Sequence, residues 1–328
     1  MFLQPRRAAT EFNGYAVEFS PFHEHWVAVG TAQYFGIIGN GQTVVMELLP
    51  DGSLATMRSF DTQDGVYDVA WSETHPNQLV AACANGHLKL FDVTTSDNFP
   101  IQSFAEHTNE VSGVNWGLVD RTSFVSASWD HTIKLWHPQH PASMQTLRGH
   151  TGPVYNAVWS AVEASHVASC SGDGSVRLWD LKTPGRPVCD IAAHAHEVTA
   201  LDWNKYNPTQ VVSGSVDTSL KVWDIRNPSV EVRQLRGHQH AVRRVKCCPH
   251  DEYVVASTSF DMSVRLWNVR AVHPHLQCAA AHHSEFVLGL DFSLFVPGLV
   301  ASCSWDRSVV MWNYTGGPPP STPRQVKG

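Results

Sequence analysis

The stretch "SASWDHTIKLWHP", residues 126–138, brings serine, aspartate, histidine and tryptophan together in one short run. Those are the side chains of a hydrolytic site: a hydroxyl to attack a carbonyl, an imidazole to take its proton and a carboxylate to orient the imidazole. The set is not singular, however. Asp130, Asp173, Asp217, Asp261 and Asp306 each stand six positions before a tryptophan (Trp136, Trp179, Trp223, Trp267 and Trp312), with serines two and four positions before each aspartate. His107, His150, His194, His238 and His282 lie 23 or 24 residues upstream of them. A catalytic serine needs a unique exposed position and an oxyanion hole, so five equivalent sets predict architecture and no enzyme. The chemistry they suit is a hydrogen-bond relay in which Asp accepts from His, His meets Ser, and Ser accepts the indole N–H. Such a relay ties a loop to a sheet and satisfies buried polar groups.

The elements that must position this relay repeat with it. From Phe91 through the five tryptophans the spacing is 45, 43, 44, 44 and 45 residues, a period that signals a repeat architecture. Around each aromatic runs an alternating strand such as "SVRLWD" or "SLKVWDIR", preceded by a small-residue strand and a tight turn, as in "VASCSGDG". The chain is predicted all-β. In the unit ending at Phe91, Asn85 replaces the aspartate and Thr62 stands where the histidine would be. A further degenerate unit ends near Met46, which makes seven units. The last runs out of strand-like sequence at Asn313, so residues 2–7, "FLQPRR", are expected to supply its outer strand and close a ring, with Pro5 tolerated only at an edge. Residues 1–314 are expected to form the folded domain, and 315–328, rich in Pro and Gly, a disordered tail.

Composition narrows the function. The 328 residues carry a net charge of −7 with Lys and Arg scattered, so no basic patch argues for nucleic acid. No run approaches the roughly 20 apolar residues of a membrane helix, and the start lacks a signal-peptide core; direct membrane insertion is not expected. Seven cysteines without Cys-x-x-Cys spacing predict reduced thiols in a cytosol-like compartment. Neither a zinc spacing nor a phosphate loop is present, so no metal and no cofactor is expected, and function falls to a binding surface.

The pairs Gly149-His150, Gly237-His238, Trp179-Asp180 and Trp223-Asp224 resemble the signatures of the WD-repeat family, which implies a seven-bladed β-propeller. In that family the favoured contacts on the top face are the residue before the turn aspartate and the residues three and five after the loop histidine. Carried onto this sequence, the first position gives Trp129, Phe260 and Trp305, the second Glu110, Glu197 and Glu285, and the third Tyr155 and Arg243. The degenerate units add Tyr15, Tyr67 and Asp64. Aromatics beside carboxylates suit an amphipathic basic ligand. The pair Arg243-Arg244 is expected to serve an ion pair between blades.

Longer stretches go beyond the generic repeat. "FNGYAVEFSPF", "TAQYFGIIGNG", "TQDGVYDVAWSE", "DWNKYNP", "AVRRVKCCPH" and "HHSEFVLGLDFS" resemble the WD-repeat peroxins that are receptors for the type-2 peroxisomal targeting signal, over nearly the whole chain from about Phe12 to Asn313. The resemblance implies a cytosolic receptor cycling to the peroxisome. Its implied partners are cargo proteins with an amino-terminal signal (Arg/Lys, Leu/Val/Ile, five variable residues, His/Gln, Leu/Ala), an import co-receptor and the peroxisomal docking complex. Positions 1, 2, 8 and 9 of that signal share one face of an α-helix, a basic and leucine-bearing stripe that the top face would complement. Trp223-Asp224-Ile225-Arg226 also matches a short box found in substrate receptors of cullin-type ubiquitin ligases, which gives the alternative reading.

Overall fold

Period-2 alternation has a direct structural outcome. In a computed structural model that describes residues 4–183, 185–271 and 275–315, twenty-eight strands form seven four-stranded antiparallel sheets among the described residues. Blade 1, for example, is built from Asn13–Phe19, Trp26–Ala32, Gly41–Leu48 and Leu54–Asp61, running from the innermost strand outward. Because each sheet has two apolar faces, the cores lie between blades. Val114, Trp116 and Phe124 of blade 3 meet Leu88 and Phe104 of blade 2, and Val154, Ala157 and Trp159 of blade 4 meet Ile133 and Leu135 of blade 3. The Pro/Gly-rich tail lies, from residue 316 on, outside the described residues.

The ring closes at blade 7, where Val287–Phe292, Leu299–Ser304 and Ser308–Asn313 take Arg6–Ala9 as their outer strand. The register runs from Arg6 opposite Met311 to Ala9 opposite Ser308. The pairing therefore starts later than the expected 2–7, of which Phe2 and Leu3 lie outside the described residues. Pro5 has no N–H to give a ladder, so pairing begins beyond it. Arg7 holds the register by donating to the His282 carbonyl and lying 3.7 Å from the Asp306 carboxylate.

The full relay is present in four blades, and its histidine, aspartate and serine members in a fifth. His Nδ1 lies 2.7–2.9 Å from the aspartate in the pairs His107–Asp130, His150–Asp173, His194–Asp217 and His238–Asp261. Nε2 of the same rings lies 2.7–2.8 Å from Ser126, Ser169, Ser213 and Ser257, whose hydroxyls in turn accept the indole N–H of Trp136, Trp179, Trp223 and Trp267. In blade 7 the histidine is His283, not His282: its Nδ1 is 3.1 Å from Asp306 and its Nε2 2.9 Å from Ser302. The spacing to the aspartate is then 23 in every blade, since the loop and strand lengths between the two groups are the same. His282 occupies the place that Gly149 and Gly237 hold against Trp179 and Trp267. Its ring packs on Trp312, whose indole N–H is buried without a hydrogen-bond partner. Blade 2 has no relay; Phe60 and Phe91 stack at 4.6 Å instead, and Lys89 donates to the Thr62 carbonyl.

The cysteines act as small core residues. All seven are unpaired, and burial pushes the Cys83, Cys170 and Cys303 thiols up to about 12.

Three outcomes follow for stability. Asp217→Ala leaves His194 Nδ1–H buried without its acceptor and should cost about 1–3 kcal/mol in denaturant unfolding; an unchanged midpoint would remove Asp217 from the relay. Deleting residues 1–9 exposes the edge of Ser308–Asn313 and should lower the melting temperature more than Asp217→Ala does; equal or smaller loss would show that the ring does not depend on closure. The third concerns pH. Burial lowers the pKa of His194 and His238 in spite of their aspartate partners. Burial opposes ionisation of Asp130, Asp173, Asp261 and Asp306, but the histidine N–H and the neighbouring hydroxyl outweigh it and hold each carboxyl well below the usual range. Both kinds of group bind protons more tightly in the unfolded chain. Their stabilisation is complete above the unfolded histidine value of about 6.5 and is lost on acidification, first below that value and again below about 3.9. Melting temperature should fall in those two steps; no change through the first window would contradict neutral, buried histidines.

Candidate functional site

The innermost strand of every blade carries a β-bulge near its start. The irregularities fall between Gly14/Ala16, Val66/Asp68, Val111/Gly113, Val154/Asn156, Val198/Ala200, Val242/Arg244 and Val287/Gly289. A bulge leaves one residue out of the ladder and re-aims its side chain. The seven residues so placed are Tyr15, Tyr67, Ser112, Tyr155, Thr199, Arg243 and Leu288, and all seven line one cavity of about 570 Å³ at the mouth of the channel. Ser112 and Thr199 also donate their hydroxyls to the Val154 and Val242 carbonyls of the following blades.

Turn and loop residues complete the walls. Trp129, Phe260 and Trp305 line the cavity together with Tyr67, Tyr155, Glu110 and Glu197, and with Tyr15 and Arg243 they bring together nine of the eleven top-face residues named from the sequence. On one side the rings form a continuous arc: Phe260 stacks on Phe286 at 4.8 Å, Phe286 lies 5.2 Å from Trp305, Trp305 5.9 Å from Tyr15, and Tyr15 5.1 Å from Tyr67. On the other side Trp129 meets Tyr155 edge-on at 6.1 Å, and Tyr155 donates to Glu197 at 2.6 Å. Burial raises the pKa of Tyr15, Tyr67 and Tyr155, with nearby Glu110 adding to the effect at Tyr67 and the bonded Glu197 at Tyr155, so all three remain hydroxyl donors.

Two of the expected carboxylates do not line the cavity. Glu285 is one residue out of register, because the relay histidine of blade 7 is His283; the position three beyond it is Phe286, and five beyond it Leu288 in place of Val287. Glu285 lies instead in an adjoining hollow with Ser284, Asp306 and Arg307, separated from the cavity by Phe35 and Trp305. Asp64 sits beside Tyr67 but accepts from the Asn85 amide at 2.7 Å.

The sequence reading missed one wall. The connection from Gln33 to Asn40 in blade 1 is longer than its counterparts, such as Trp129 to His131 in blade 3. It turns over the mouth so that Phe35, Gly36 and Ile37 line the cavity. Tyr15 donates to the Phe35 carbonyl, Tyr67 donates to the Gly36 carbonyl at 2.8 Å, and Asn13 accepts from the Phe35 N–H. These bonds hold Tyr34 and Phe35 at positive φ (47° and 58°). Gly36, at φ 72°, is required there as well by space, because a Cβ would stand 2.6 Å from the Tyr15 hydroxyl. The loop's length relative to the turns of the other blades was the available signal.

The adjacent arginines divide. Arg244 forms the expected ion pair, bidentate to Asp68 at 2.8 and 3.2 Å across the channel. Arg243, on the bulge, lines the cavity. The four-residue box ends in an exposed Arg226 folded back on Asp224 at 2.6 Å, away from the cavity.

Known proteins resemble this chain over parts of its length. A family model described as "EIPR1 beta-propeller" matches residues 139–267, and one described as "WD domain, G-beta repeat" matches residues 54–92, 98–137 and 276–313. The Saccharomyces cerevisiae protein named Peroxisomal targeting signal 2 receptor is 45% identical over 136 residues, 42% of this chain and 36% of that protein. The Arabidopsis thaliana protein named Peroxisome biogenesis protein 7 is 49% identical over 135 residues, 40% of this chain and 43% of the relative. The Homo sapiens Peroxisomal targeting signal 2 receptor is 42% identical over 139 residues, 42% of each chain. The matched stretches thus span about two-fifths of these relatives. The matched WD repeats run through blades 2, 3 and 7, and the chain is a seven-bladed β-propeller containing WD repeats, homologous over about two-fifths of its length to proteins named as peroxisomal targeting signal 2 receptors.

Proposed function

We propose that this chain is a receptor that binds the amino-terminal type-2 peroxisomal targeting signal as an amphipathic helix in the cavity at the channel mouth. In this reading it delivers the signal-bearing protein to the peroxisome with an import co-receptor and a docking complex, cycling from the cytosol. The observation that carries the reading is the pairing, in one cavity, of a continuous aromatic arc with two carboxylates, Glu110 and Glu197. The names of the homologous receptors support it.

The chemistry fits each part of such a ligand. Leucine side chains on the helix face gain by leaving water for the rings of Phe260, Trp305 and Tyr67. The signal's Arg or Lys gains a charge-assisted hydrogen bond in a site shielded from solvent. Glu110 is the stronger partner, because its carboxylate makes no hydrogen bond or ion pair among the described residues, whereas Glu197 already accepts from Tyr155. Asp64, held by Asn85, and Glu285, in the adjoining hollow, assist only through longer-range charge.

Titration of a fluorescent signal peptide should show Glu110→Lys weakening binding by about 1.5–3 kcal/mol, or about 10- to 150-fold. Asp64→Lys and Glu285→Lys should cost less than about 1 kcal/mol, as expected of solvent-screened charges. Changing the peptide's first Arg to Glu should partly restore affinity for Glu110→Lys. Full-strength binding by Glu110→Lys would place the signal elsewhere.

A further inference from the structure

Three charged side chains line the cavity, Glu110, Glu197 and Arg243, and Glu197 is engaged by Tyr155. The other two make no side-chain hydrogen bond or ion pair among the described residues. Arg243 belongs to blade 6, on the bulge before Arg244, and Glu110 belongs to the loop that leads into Val111–Trp116 of blade 3. Three blades is the largest separation a seven-membered ring allows, so the two residues are rooted on opposite walls of the cavity. Asp68 reaches Arg243 only through charge, its hydrogen bonds going to Arg244 and the Val114 N–H.

This arrangement is the electrostatic counterpart of a helix laid across the mouth. A helix carries partial positive charge at its amino end and partial negative charge at its carboxyl end, where the last four carbonyls lack internal partners. A nine-residue helix is about 13 Å long. Arg243 offers several N–H donors to such carbonyls. An occupant that excluded water without supplying an acceptor would leave a buried cation unpaired, which is strongly unfavourable.

We propose that Arg243 is the residue that sets the direction of the bound helix, taking its carbonyl end while Glu110 takes the end that bears the signal's Arg or Lys. The assignment rests on the reading of the cavity as a helix-binding site and adds to it a polarity. It makes Arg243 a specificity determinant: in a peptide of the same composition with the sequence reversed, the Arg sits at the carbonyl end, and its charge and the helix dipole favour opposite orientations in the cavity.

The test uses the full chain and amidated fluorescent peptides of the pattern Arg-Leu-x5-His-Leu, extended after the last residue by either Glu or Lys. The wild-type chain should prefer the Glu-extended peptide over the Lys-extended one by about tenfold, the size of one charge-assisted contact. Arg243→Gln should abolish that preference and weaken the unextended peptide by about tenfold. Arg243→Lys, which keeps the charge, should retain the preference, and melting curves of both variants establish that they are folded. Placing the Glu or Lys before the first Arg should give the opposite preference, dependent on Glu110 and indifferent to Arg243. The proposal is overturned if Arg243→Gln keeps the wild-type ranking, or if the carboxyl-end preference tracks Glu110 instead. A wild-type chain that binds the unextended peptide while showing no ranking would sink the polarity alone; a wild-type chain that binds none of the peptides would sink the receptor reading with it.

Discussion

The structure depends on how the inner edges of the blades are satisfied. The innermost strand of each blade spends one side of its backbone on the second strand, and its other edge faces the channel, where no further strand can pair. Side chains take that role. Glu18 accepts the Trp71 N–H, Asp68 the Val114 N–H, Asn115 the Trp159 N–H, Asp202 the Cys247 N–H and Asp291 the Phe19 N–H, while Asn156 donates to the Leu201 carbonyl. Between blades 6 and 7 the link is the Lys246–Asp291 ion pair at 3.3 Å. Each contact runs from one blade to the next, so the ring is laced from within and the angular position of every blade is set.

That lacing gives the mouth its meaning. With the inner strands fixed in position, the bulge at the start of each strand delivers one side chain to the same height, and seven such residues become a single cavity wall. The relay then fixes the loops above them: the aspartate that holds the histidine also orders the turn that carries Trp129, Phe260 or Trp305 immediately before it. The relay thus positions the aromatic side chains that wall the cavity.

The repeat period, the seven blades and closure by the amino terminus were legible because they are written in spacing and alternation, which survive variation at single positions. The relay was legible for the same reason in four blades and misassigned by one residue in the fifth, where two adjacent histidines, His282 and His283, offered the same chemistry and only the strand register separates them. That single step carried Glu285 into the predicted face and left Phe286 and Leu288 out. Residues placed by an irregular segment left only the loop's length as a signal: Phe35, Gly36 and Ile37 reach the cavity through a loop whose positive φ angles are fixed by tertiary hydrogen bonds from Tyr15 and Tyr67. The division of Arg243 from Arg244 was equally hidden, since a bulge that turns neighbours to different surroundings leaves no mark in an alternating pattern.

The two blades that depart most from the repeat are the ones that build this irregular wall. Blade 2 lacks the histidine–aspartate pair, and the long turn of blade 1 is held from below by the hydroxyls of Tyr15 and Tyr67, which are themselves cavity residues. In blades 3 to 7 the top loops are anchored by buried groups independent of what fills the mouth. In blades 1 and 2 the anchor and the cavity wall are the same side chains. An occupant that displaced either tyrosine would free Phe35 and Ile37, and one that packed against them would hold the loop more firmly, so the wall over this part of the mouth is coupled to the contents of the cavity while the rest of the rim is not.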